Sequence, residues 1–201
     1  PFPQDFDSII GCEVIAIRRR AKYLLIDLDN NRVLLSHLGM SGRYSLINPQ
    51  DVASFADEKV ESGTYTSGIY SDVEASKYGR RTGFSGKHDH FELQFDDGSV
   101  AVYTDPRRFG IVKLFNSEEE EIQPLLEILG PEPFEDWNAK LLADKFSNKK
   151  TNVKVAILDQ RVVVGVGNIY ACEALFSSKI NPTTRSCDLV NKNGQPSKKL
   201  I

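Results

Sequence analysis

The stretch KYLLIDLDNNRVLLSHL, residues 22–38, decides the fold of the first half of the chain. It holds two short apolar runs, KYLLIDL and RVLLSHL, on either side of the polar tripeptide DNN at residues 29–31. Asparagine and aspartate tolerate the positive φ angles that a tight strand connection requires. The stretch therefore predicts a hairpin of two antiparallel β-strands.

Four more runs of the same kind surround this hairpin and extend the predicted sheet. They are EVIAIR at 13–18, FELQF at 91–95, VAVY at 100–103 and IVKLF at 111–115. The tripeptide DDG at 96–98 lies between two of these runs and predicts another hairpin. We therefore expect an antiparallel β-sandwich or flattened barrel over residues 1–116. The polar stretch 48–87 predicts a long surface loop within it, with a lid over a ligand as the alternative.

The second half of the chain changes from strand patterns to helix patterns. Residues 117–130 predict a linker, 131–185 a helical domain and 186–201 a polar tail without regular structure. The fold class is therefore α+β. The first predicted helix is capped by Asp136 and carries Trp137, Leu141 and Leu142 on one face. The second is capped by Thr151 or Asn152 and carries Val153, Ala156 and Ile157 on one face. The third covers residues 169–176 and is capped by Asn168.

Composition excludes several classes of function. With 201 residues and 40% hydrophobic residues the chain can bury a core, and its formal net charge of −3 argues against binding a polyanion through bulk charge. Its three cysteines lie far apart without a C-x-x-C pair, which predicts neither disulfides nor a cysteine zinc site and favours a reducing cytoplasm. No stretch approaches the roughly 20 apolar residues of a membrane span. We expect a soluble, unexported protein without a membrane partner.

Two stretches concentrate positive charge without interleaved acidic residues. The first is RRRAK at 18–22, and the second comprises Lys145, Lys149, Lys150 and Lys154. Singly, each is typical of a solvated surface; together, they suggest two basic faces that close on a nucleic-acid backbone. The turn GVGN at 165–168 leads into a helix N-terminus, where free N–H groups and the dipole favour an anion. It lacks the full G-x-G-x-x-G spacing of a dinucleotide site.

The loops HLGMSG at 37–42 and TDPRRFG at 104–110 allow two interpretations. A methionine among glycines usually fills a gap in a core, and a DP dipeptide with arginines is typical of a solvated turn. Alternatively, a projecting methionine, arginine and phenylalanine suit insertion into a base stack. The segment HDH at 88–90 places His88 and His90 on one side of a strand, but without a third ligand a metal site is not favoured.

Seven segments, taken in order, resemble one family closely. They are RRAKYLL at 19–25, HLGMSG at 37–42, KHDHFEL at 87–93, YTDPRRFG at 103–110, LGPEP at 129–133, KKTNVK at 149–154 and VVVGVGNIYACEALF at 162–176. Over about residues 11–185 the chain resembles the formamidopyrimidine-DNA glycosylases, bacterial enzymes that excise oxidised purines such as 8-oxoguanine. The resemblance implies a β-sandwich joined to a helical domain with a helix–two-turn–helix motif. It also implies a monomer that binds double-stranded DNA containing oxidised purines.

The resemblance further implies roles for individual residues. Three side chains would enter the duplex and occupy the space of an everted nucleotide: Met40, Arg107 and Phe109. Of these, Arg107 would face the cytosine left unpaired opposite the everted nucleotide. Two would hold the phosphates that flank the lesion: Lys22 and Asn168. Four more would lie near the DNA: His37, His88, Arg108 and Lys154.

Both ends of the chain depart from the family pattern. The family's nucleophile is an N-terminal proline in a P-E-L-P-E segment, whereas this chain begins PFPQD and its alignment makes Pro1 a coincidence, so the catalytic residues are unknown. The family's four-cysteine zinc finger is not matched, and no cofactor is expected in this chain. The expected activity is that of a bifunctional glycosylase and abasic-site lyase, with a noncatalytic DNA-binding module as the alternative.

Overall fold

A computed structural model describes residues 5–49, 88–134, 138–198 and 200. The chain divides into two compact units. The first contains residues 1–18 and 23–117, and the second contains residues 19–22 and 118–201. The long polar stretch lies almost entirely outside the described residues, as do Pro1, Asp136 and Trp137. In the parts of the chain that the structure describes, no helix is long and apolar enough to cross a membrane.

Within the described residues, the first unit holds seven strands in two antiparallel sheets. The strands are β1 (Val14–Arg20), β2 (Tyr23–Leu28), β3 (Arg32–His37), β4 (Arg43–Ile47), β5 (Asp89–Gln94), β6 (Val100–Thr104) and β7 (Ile111–Asn116). One sheet has the order β1-β2-β3-β7 and the other β4-β6-β5. Both predicted hairpins are confirmed, because β2 pairs with β3 and β5 pairs with β6. Their turns contain Asn31 and Gly98, each at positive φ.

The two sheets share one apolar core. Ile26, Leu34 and Val112 from the first sheet pack in one cluster with Phe91 and Tyr103 from the second. The rings of Phe91 and Tyr103 stack with their centroids 5.1 Å apart. Each fully buried side chain of this kind contributes about 1.5–3 kcal/mol relative to an exposed one. The sandwich predicted from the apolar runs is confirmed, with the 3₁₀ turn Phe6–Ile9 preceding it.

Strand β4 was not predicted from the sequence. It follows the HLGMSG loop directly and pairs with β6 from Arg43 opposite Thr104 to Ile47 opposite Val100. Tyr44, Ser45 and Ile47 are half-buried, whereas Arg43 and Leu46 are exposed. The strand is only five residues long and contains the polar residues Arg43 and Ser45, so it lacks the continuous apolar run by which most of the other strands were predicted.

In the second unit, the residues that the structure describes form three α-helices. They are α1 (Ala139–Phe146), α2 (Val153–Leu158) and α3 (Asn168–Ser177). The core contains Phe146, Val153, Ala156 and Leu175. The predicted apolar face of α2 is confirmed, since Ile157 also packs against this core.

Two helix starts differ from the sequence prediction. The residue before α1 is Asn138, whose side-chain oxygen accepts a hydrogen bond from the Leu141 N–H at 3.0 Å, so the cap lies two residues after the expected Asp136. Helix α3 begins at Asn168 itself, and Gly167 is its N-cap. Asn168 is therefore the first residue of the helix rather than its N-cap.

The expected polar tail is structured over much of its length. A 3₁₀ turn spans Ser186–Leu189, and Leu189 is buried in the core of the second unit. An isolated bridge then joins Val190 to Pro196. The prediction of an unstructured tail is wrong because its few apolar residues are the ones that pack.

Candidate nucleic-acid interface

In the first unit, the buried carboxylate of Asp105 joins the two loops that the sequence singled out. The residue is 1% exposed. Its Oδ1 accepts a hydrogen bond from the Ser41 hydroxyl at 2.6 Å, and its Oδ2 accepts one from the Gly110 N–H at 2.8 Å. Burial alone would raise the pKa of Asp105, but these bonds and those from nearby backbone N–H groups lower it. The carboxylate is therefore ionised, and each of its two oxygens accepts a hydrogen bond.

Ser41 completes the link between the loops. Its hydroxyl donates to Asp105 and accepts a hydrogen bond from the Arg107 N–H at 3.1 Å. One side chain of the 37–42 loop thus fixes both the carboxylate and the backbone of the 104–110 loop. A change in either loop is transmitted to the other through this hydroxyl.

Glycines let the two loops approach closely. A Cβ on Gly39 would lie 2.7 Å from the Phe109 carbonyl carbon, and Gly39 also has φ +63°. A Cβ on Gly110 would lie 1.8 Å from the Tyr103 hydroxyl oxygen. Side chains at these positions would therefore separate the loops or displace the tyrosine.

The side chains carried by this paired loop structure project into solvent. Met40 is 71% exposed and Phe109 is 56% exposed, so the methionine does not fill a core gap. The Arg107 guanidinium carbon lies 5.1 Å from the centroid of the Phe109 ring. Between them, Arg108 adopts φ +57°, a left-handed conformation that costs a non-glycine residue about 1 kcal/mol or more. The loop thus combines a strained backbone conformation at Arg108 with exposed apolar side chains at Met40 and Phe109. This combination is typical of a surface that contacts a binding partner.

The three predicted histidine positions lie around the same loops. His37 accepts a hydrogen bond at Nδ1 from the Gly39 N–H at 3.0 Å, and its ring lies 5.1 Å from that of Tyr23. His88 contributes its carbonyl, which accepts from the Asp105 N–H at 2.9 Å. His90 donates through Nε2 to the Asp105 carbonyl at 2.8 Å. These contacts support loop positioning by His90 rather than chelation.

Metal binding finds no support in the described ranges. Among those residues, His, Cys, Asp and Glu side chains form no group of three or more that could hold an ion. Cys12, Cys172 and Cys187 are all free thiols. The residues described do not fit a tetrahedral zinc site of the kind that a four-cysteine finger provides.

In the second unit, Lys22 lies at the start of α3. Its Nζ is 3.0 Å from the place where a Cβ on Gly167 would stand, immediately before Asn168. The first N–H groups of a helix have no partner within the helix, and the dipole adds partial positive charge there. Desolvation lowers the pKa of the Lys22 ammonium. The lysine and the helix start thus direct positive charge at one point, which is what a phosphate requires.

The three arginines of the RRRAK segment form ion pairs with carboxylates outside the segment. Arg18 pairs with Asp27 through two hydrogen bonds. Arg19 and Arg20 both bind Glu132, at 3.1 and 2.8 Å. Glu132 also accepts the Ala21 N–H at 2.7 Å. The segment contains no acidic residue of its own, but its three arginines form ion pairs with carboxylates from other parts of the chain.

Glu132 holds the backbone from which Lys22 extends. Burial alone would raise the pKa of this carboxyl, but the hydrogen bonds from Ala21, Arg20 and Arg19 lower it. The side chain of Glu132 is only 9% exposed. Two arginines thus help to hold this segment through Glu132.

The second basic cluster is also partly internal to the fold. Lys149 pairs with Asp159 at 3.1 Å. Lys154 is half-buried, and its backbone N–H donates to the Pro182 carbonyl at 3.4 Å. Lys145 and Lys150 are exposed. The structure places Lys154 on α2 and assigns it no ion pair among the residues described.

Sequence reasoning missed three residues that position this interface. Asp105 was interpreted only as part of a turn, while Ser41 and Glu132 received no role. The DP dipeptide and the LGPEP segment contain two of them, but their partners lie 64 and 111 residues away. Only the fold brings such partners together.

Two family descriptions match the chain. Residues 1–112 match the formamidopyrimidine-DNA glycosylase N-terminal domain, and residues 129–196 match the formamidopyrimidine-DNA glycosylase H2TH domain. A formamidopyrimidine-DNA glycosylase of Afipia carboxidovorans is 40% identical over 199 residues, which are 98% of this chain and 61% of that protein. Its counterpart from Rhodopseudomonas palustris strain BisA53 is 40% identical over 99% of this chain and 62% of its own length. The chain thus spans about three fifths of these relatives.

Solved structures of similar fold are complexes with DNA. The Lactococcus lactis Fpg bound to DNA containing an abasic site matches with a TM-score of 0.70 and 28% identity, over 95% of this chain and 58% of that one. A structure of MutM with DNA containing carbocyclic 8-oxo-G matches with a TM-score of 0.70 and 29% identity, over 95% of this chain and 60% of that one.

Proposed function

Because the chain belongs to the formamidopyrimidine-DNA glycosylase family, we propose that its protein excises oxidised purines from duplex DNA and then cleaves the abasic site. The substrate class would be 8-oxoguanine and formamidopyrimidines. The described residues would supply the binding and base-eversion part of this activity. The residues that form the covalent intermediate stay unassigned, because the family's P-E-L-P-E segment is not matched in this sequence.

The observation that carries this proposal is the paired loop structure centred on Asp105. It presents an exposed methionine, a phenylalanine and an arginine on a backbone held by hydrogen bonds. Eversion of a base costs a few kcal/mol of stacking and pairing, and apolar side chains that fill the vacated space offset part of that cost. Met40 and Phe109 would fill it, and Arg107 would bind the unpaired base.

The charge distribution agrees with a duplex partner. Lys22 and the start of α3 form a single concentrated positive site in a chain whose net charge is negative. Such a site suits one backbone phosphate rather than a long polyanion. Affinity would therefore depend on a few positioned contacts and on the lesion.

We further propose that the protein acts as a monomer in the bacterial cytoplasm, where the DNA lies. We assign no metal to the proposed DNA contact; in the described ranges, His, Cys, Asp and Glu side chains form no group of three or more that could hold an ion. Zinc in the family's finger has no counterpart among these residues.

The test combines borohydride trapping with binding. The 201-residue chain is incubated with a duplex containing 8-oxoguanine opposite cytosine, and intact mass confirms the protein's ends. In parallel, fluorescence anisotropy measures binding to a duplex with a tetrahydrofuran abasic analogue opposite cytosine. A trapped adduct together with lesion-selective binding is the expected result for the enzyme.

Two other outcomes change the assignment. Lesion-selective binding without an adduct would make this chain a noncatalytic damaged-DNA-binding module. Equal binding to the lesion and to undamaged duplex would contradict the proposed role of the Asp105 loops.

A further inference from the structure

Gln160 lies between α2 and α3, in the second unit, and its amide uses both of its polar ends. The Oε1 atom accepts a hydrogen bond from the Gly165 N–H at 3.0 Å. The Nε2 group donates to the Leu158 carbonyl and to the Val166 carbonyl, each at 3.2 Å. One side chain thus binds the end of α2 and two consecutive residues of the turn that leads into α3.

The turn held by this amide ends at the positive site. Gly165 has φ +78°, Val166 follows, and Gly167 is the N-cap of α3 beside the Lys22 ammonium. The N-cap of α3 makes no side-chain hydrogen bond within the helix. The direction of the first N–H groups of α3 therefore depends on the preceding turn, which the Gln160 amide binds.

The backbone of Gln160 also connects to the segment that carries Lys22. Its carbonyl accepts the Gly130 N–H at 2.8 Å, and the Gly130 carbonyl accepts Arg20 Nη2 at 2.7 Å. A Cβ on Gly130 would lie only 2.7 Å from the Arg161 carbonyl oxygen, so the two segments are in close contact. Hydrogen bonds thus run without interruption from the Lys22 segment through Gly130 to Gln160.

We propose that Gln160 is a positioning residue for DNA-phosphate binding, which orients the start of α3 against Lys22 so that both contact one phosphate. This rests on the proposed function. Gln160 touches no DNA itself in this proposal. The N-cap residue, Gly167, has no side chain that could bind the first N–H groups of α3. In this proposal the Gln160 amide holds the preceding turn and thereby sets the direction of those N–H groups.

The main variant is Gln160→Met, which keeps the length and packing of the side chain and removes all three hydrogen bonds of the amide. The matched control is Gln195→Met in the same unit, where the side chain is exposed and the recorded hydrogen bonds use the backbone and not the amide. Both proteins are titrated with the duplex that contains tetrahydrofuran opposite cytosine, over a series of potassium chloride concentrations.

We expect Gln160→Met to weaken binding about tenfold, the order expected for a weakened charge-assisted contact. We also expect the slope of log K against log salt to fall by up to about 0.9, since one phosphate contact is loosened. Gln195→Met should match the wild-type protein in both measurements. A purely structural role of Gln160 would lower the thermal unfolding temperature without changing this slope.

A double-mutant cycle with Asn168→Ala tests whether Gln160 acts through α3. If it does, Gln160→Met adds little to the loss already caused by Asn168→Ala. Fully additive losses, or a Gln160→Met slope equal to that of Gln195→Met, would overturn the proposal. If Gln160→Met does not fold, Gln160→Asn, which keeps a shorter amide, replaces it in the same cycle.

The failure of this inference is distinct from the failure of the proposed function. A wild-type chain that does not prefer the lesion duplex would contradict the function itself. Wild-type selectivity together with an unaffected Gln160→Met would contradict only the role of Gln160.

Discussion

In the first unit the buried carboxylate of Asp105 holds loops whose side chains project into solvent, whereas in the second unit the buried carboxylate of Glu132 holds a backbone segment from which Lys22 extends. Asp105 accepts its bonds from a hydroxyl and from backbone N–H groups. Glu132 uses two arginines as well as one backbone N–H.

This difference shows how the two regions divide their charged groups. The loops around Asp105 leave Arg107 exposed, with its guanidinium carbon 5.1 Å from the centroid of the Phe109 ring. The segment around Glu132 engages Arg19 and Arg20 and leaves Lys22 as the cation directed at α3. A basic sequence pattern therefore does not reveal which of its cations form ion pairs within the fold.

The largest expected effect is that of Gly110→Ala, which tests the close packing of the first region. The new methyl group would stand 1.8 Å from the Tyr103 hydroxyl oxygen. Overpacking of this kind costs about 1–3 kcal/mol, and occasionally more. We expect a lower urea midpoint together with loss of lesion-selective binding.

The partner variant Tyr103→Phe provides the control for this steric explanation. The double variant should recover part of the lost stability, because the clashing hydroxyl is gone. Recovery should be incomplete, since the methyl would still lie 3.1 Å from Asp105 Oδ2 and from the His37 carbonyl. A double variant no more stable than Gly110→Ala would show that the hydroxyl is not the cause.

Asp105→Asn should have the next largest effect, because it replaces a carboxylate with two acceptor oxygens by an amide with one. One of its two oxygens would become an NH₂ group facing either the Ser41 hydroxyl or the Gly110 N–H. A buried group left without its partner costs about 1–3 kcal/mol. We expect a loss of this order in the free energy of unfolding, measured with urea at neutral pH.

The pH dependence of this loss identifies the carboxylate as its source. The folded-state pKa of Asp105 lies below its ordinary value, so its contribution is present above the unfolded pKa of about 3.9 and is lost as pH falls through the folded pKa. The stability gap between the wild-type protein and Asp105→Asn should therefore narrow below about pH 4. A gap that stays constant down to low pH would assign the loss to shape rather than to charge.

Lys22→Ala sharpens the second half of the comparison and should act on binding rather than on stability. Loss of one phosphate contact lowers the slope of log K against log salt by about 0.9 and weakens binding to all duplexes alike. Lys192→Ala, an exposed lysine of the same unit, is the matched control. If both variants lose the same amount, general charge and not the α3 site explains the affinity.

Local patterns in the sequence predicted most of the fold. The runs around residues 29–31 and 96–98 predicted two hairpins, because positive-φ turns and apolar strands are properties of neighbouring residues. Strand β4 was missed because it is only five residues long and contains the polar residues Arg43 and Ser45. The α1 cap was placed at Asp136 because several polar residues precede that helix.

The candidate site was only partly predictable, for a different physical reason. The projecting residues Met40 and Phe109 stand out in sequence as large side chains among glycines and arginines. The groups that hold them are polar residues whose partners lie far along the chain, as in the bond from Ser41 to Asp105. Such pairs leave no local pattern, and the same holds for Glu132 and Arg20.

Met40→Ala should have the smallest effect on stability and separates contact from support in the first region. Met40 is 71% exposed, so its truncation should change the free energy of unfolding by no more than about 0.5 kcal/mol. Its proposed role is to fill the space of an everted base, so the ratio of affinities for lesion and undamaged duplex should fall. Anisotropy titrations of both duplexes measure that ratio.

Leu46→Ala provides the comparison for this truncation, since Leu46 is similarly exposed on β4 but carries no proposed DNA contact. Both variants should unfold at nearly the wild-type urea concentration, while only Met40→Ala loses selectivity. Equal lesion selectivity in the two variants would contradict the proposed role of Met40 in filling the space of an everted base. Asp105 would then support a loop with a purely structural role.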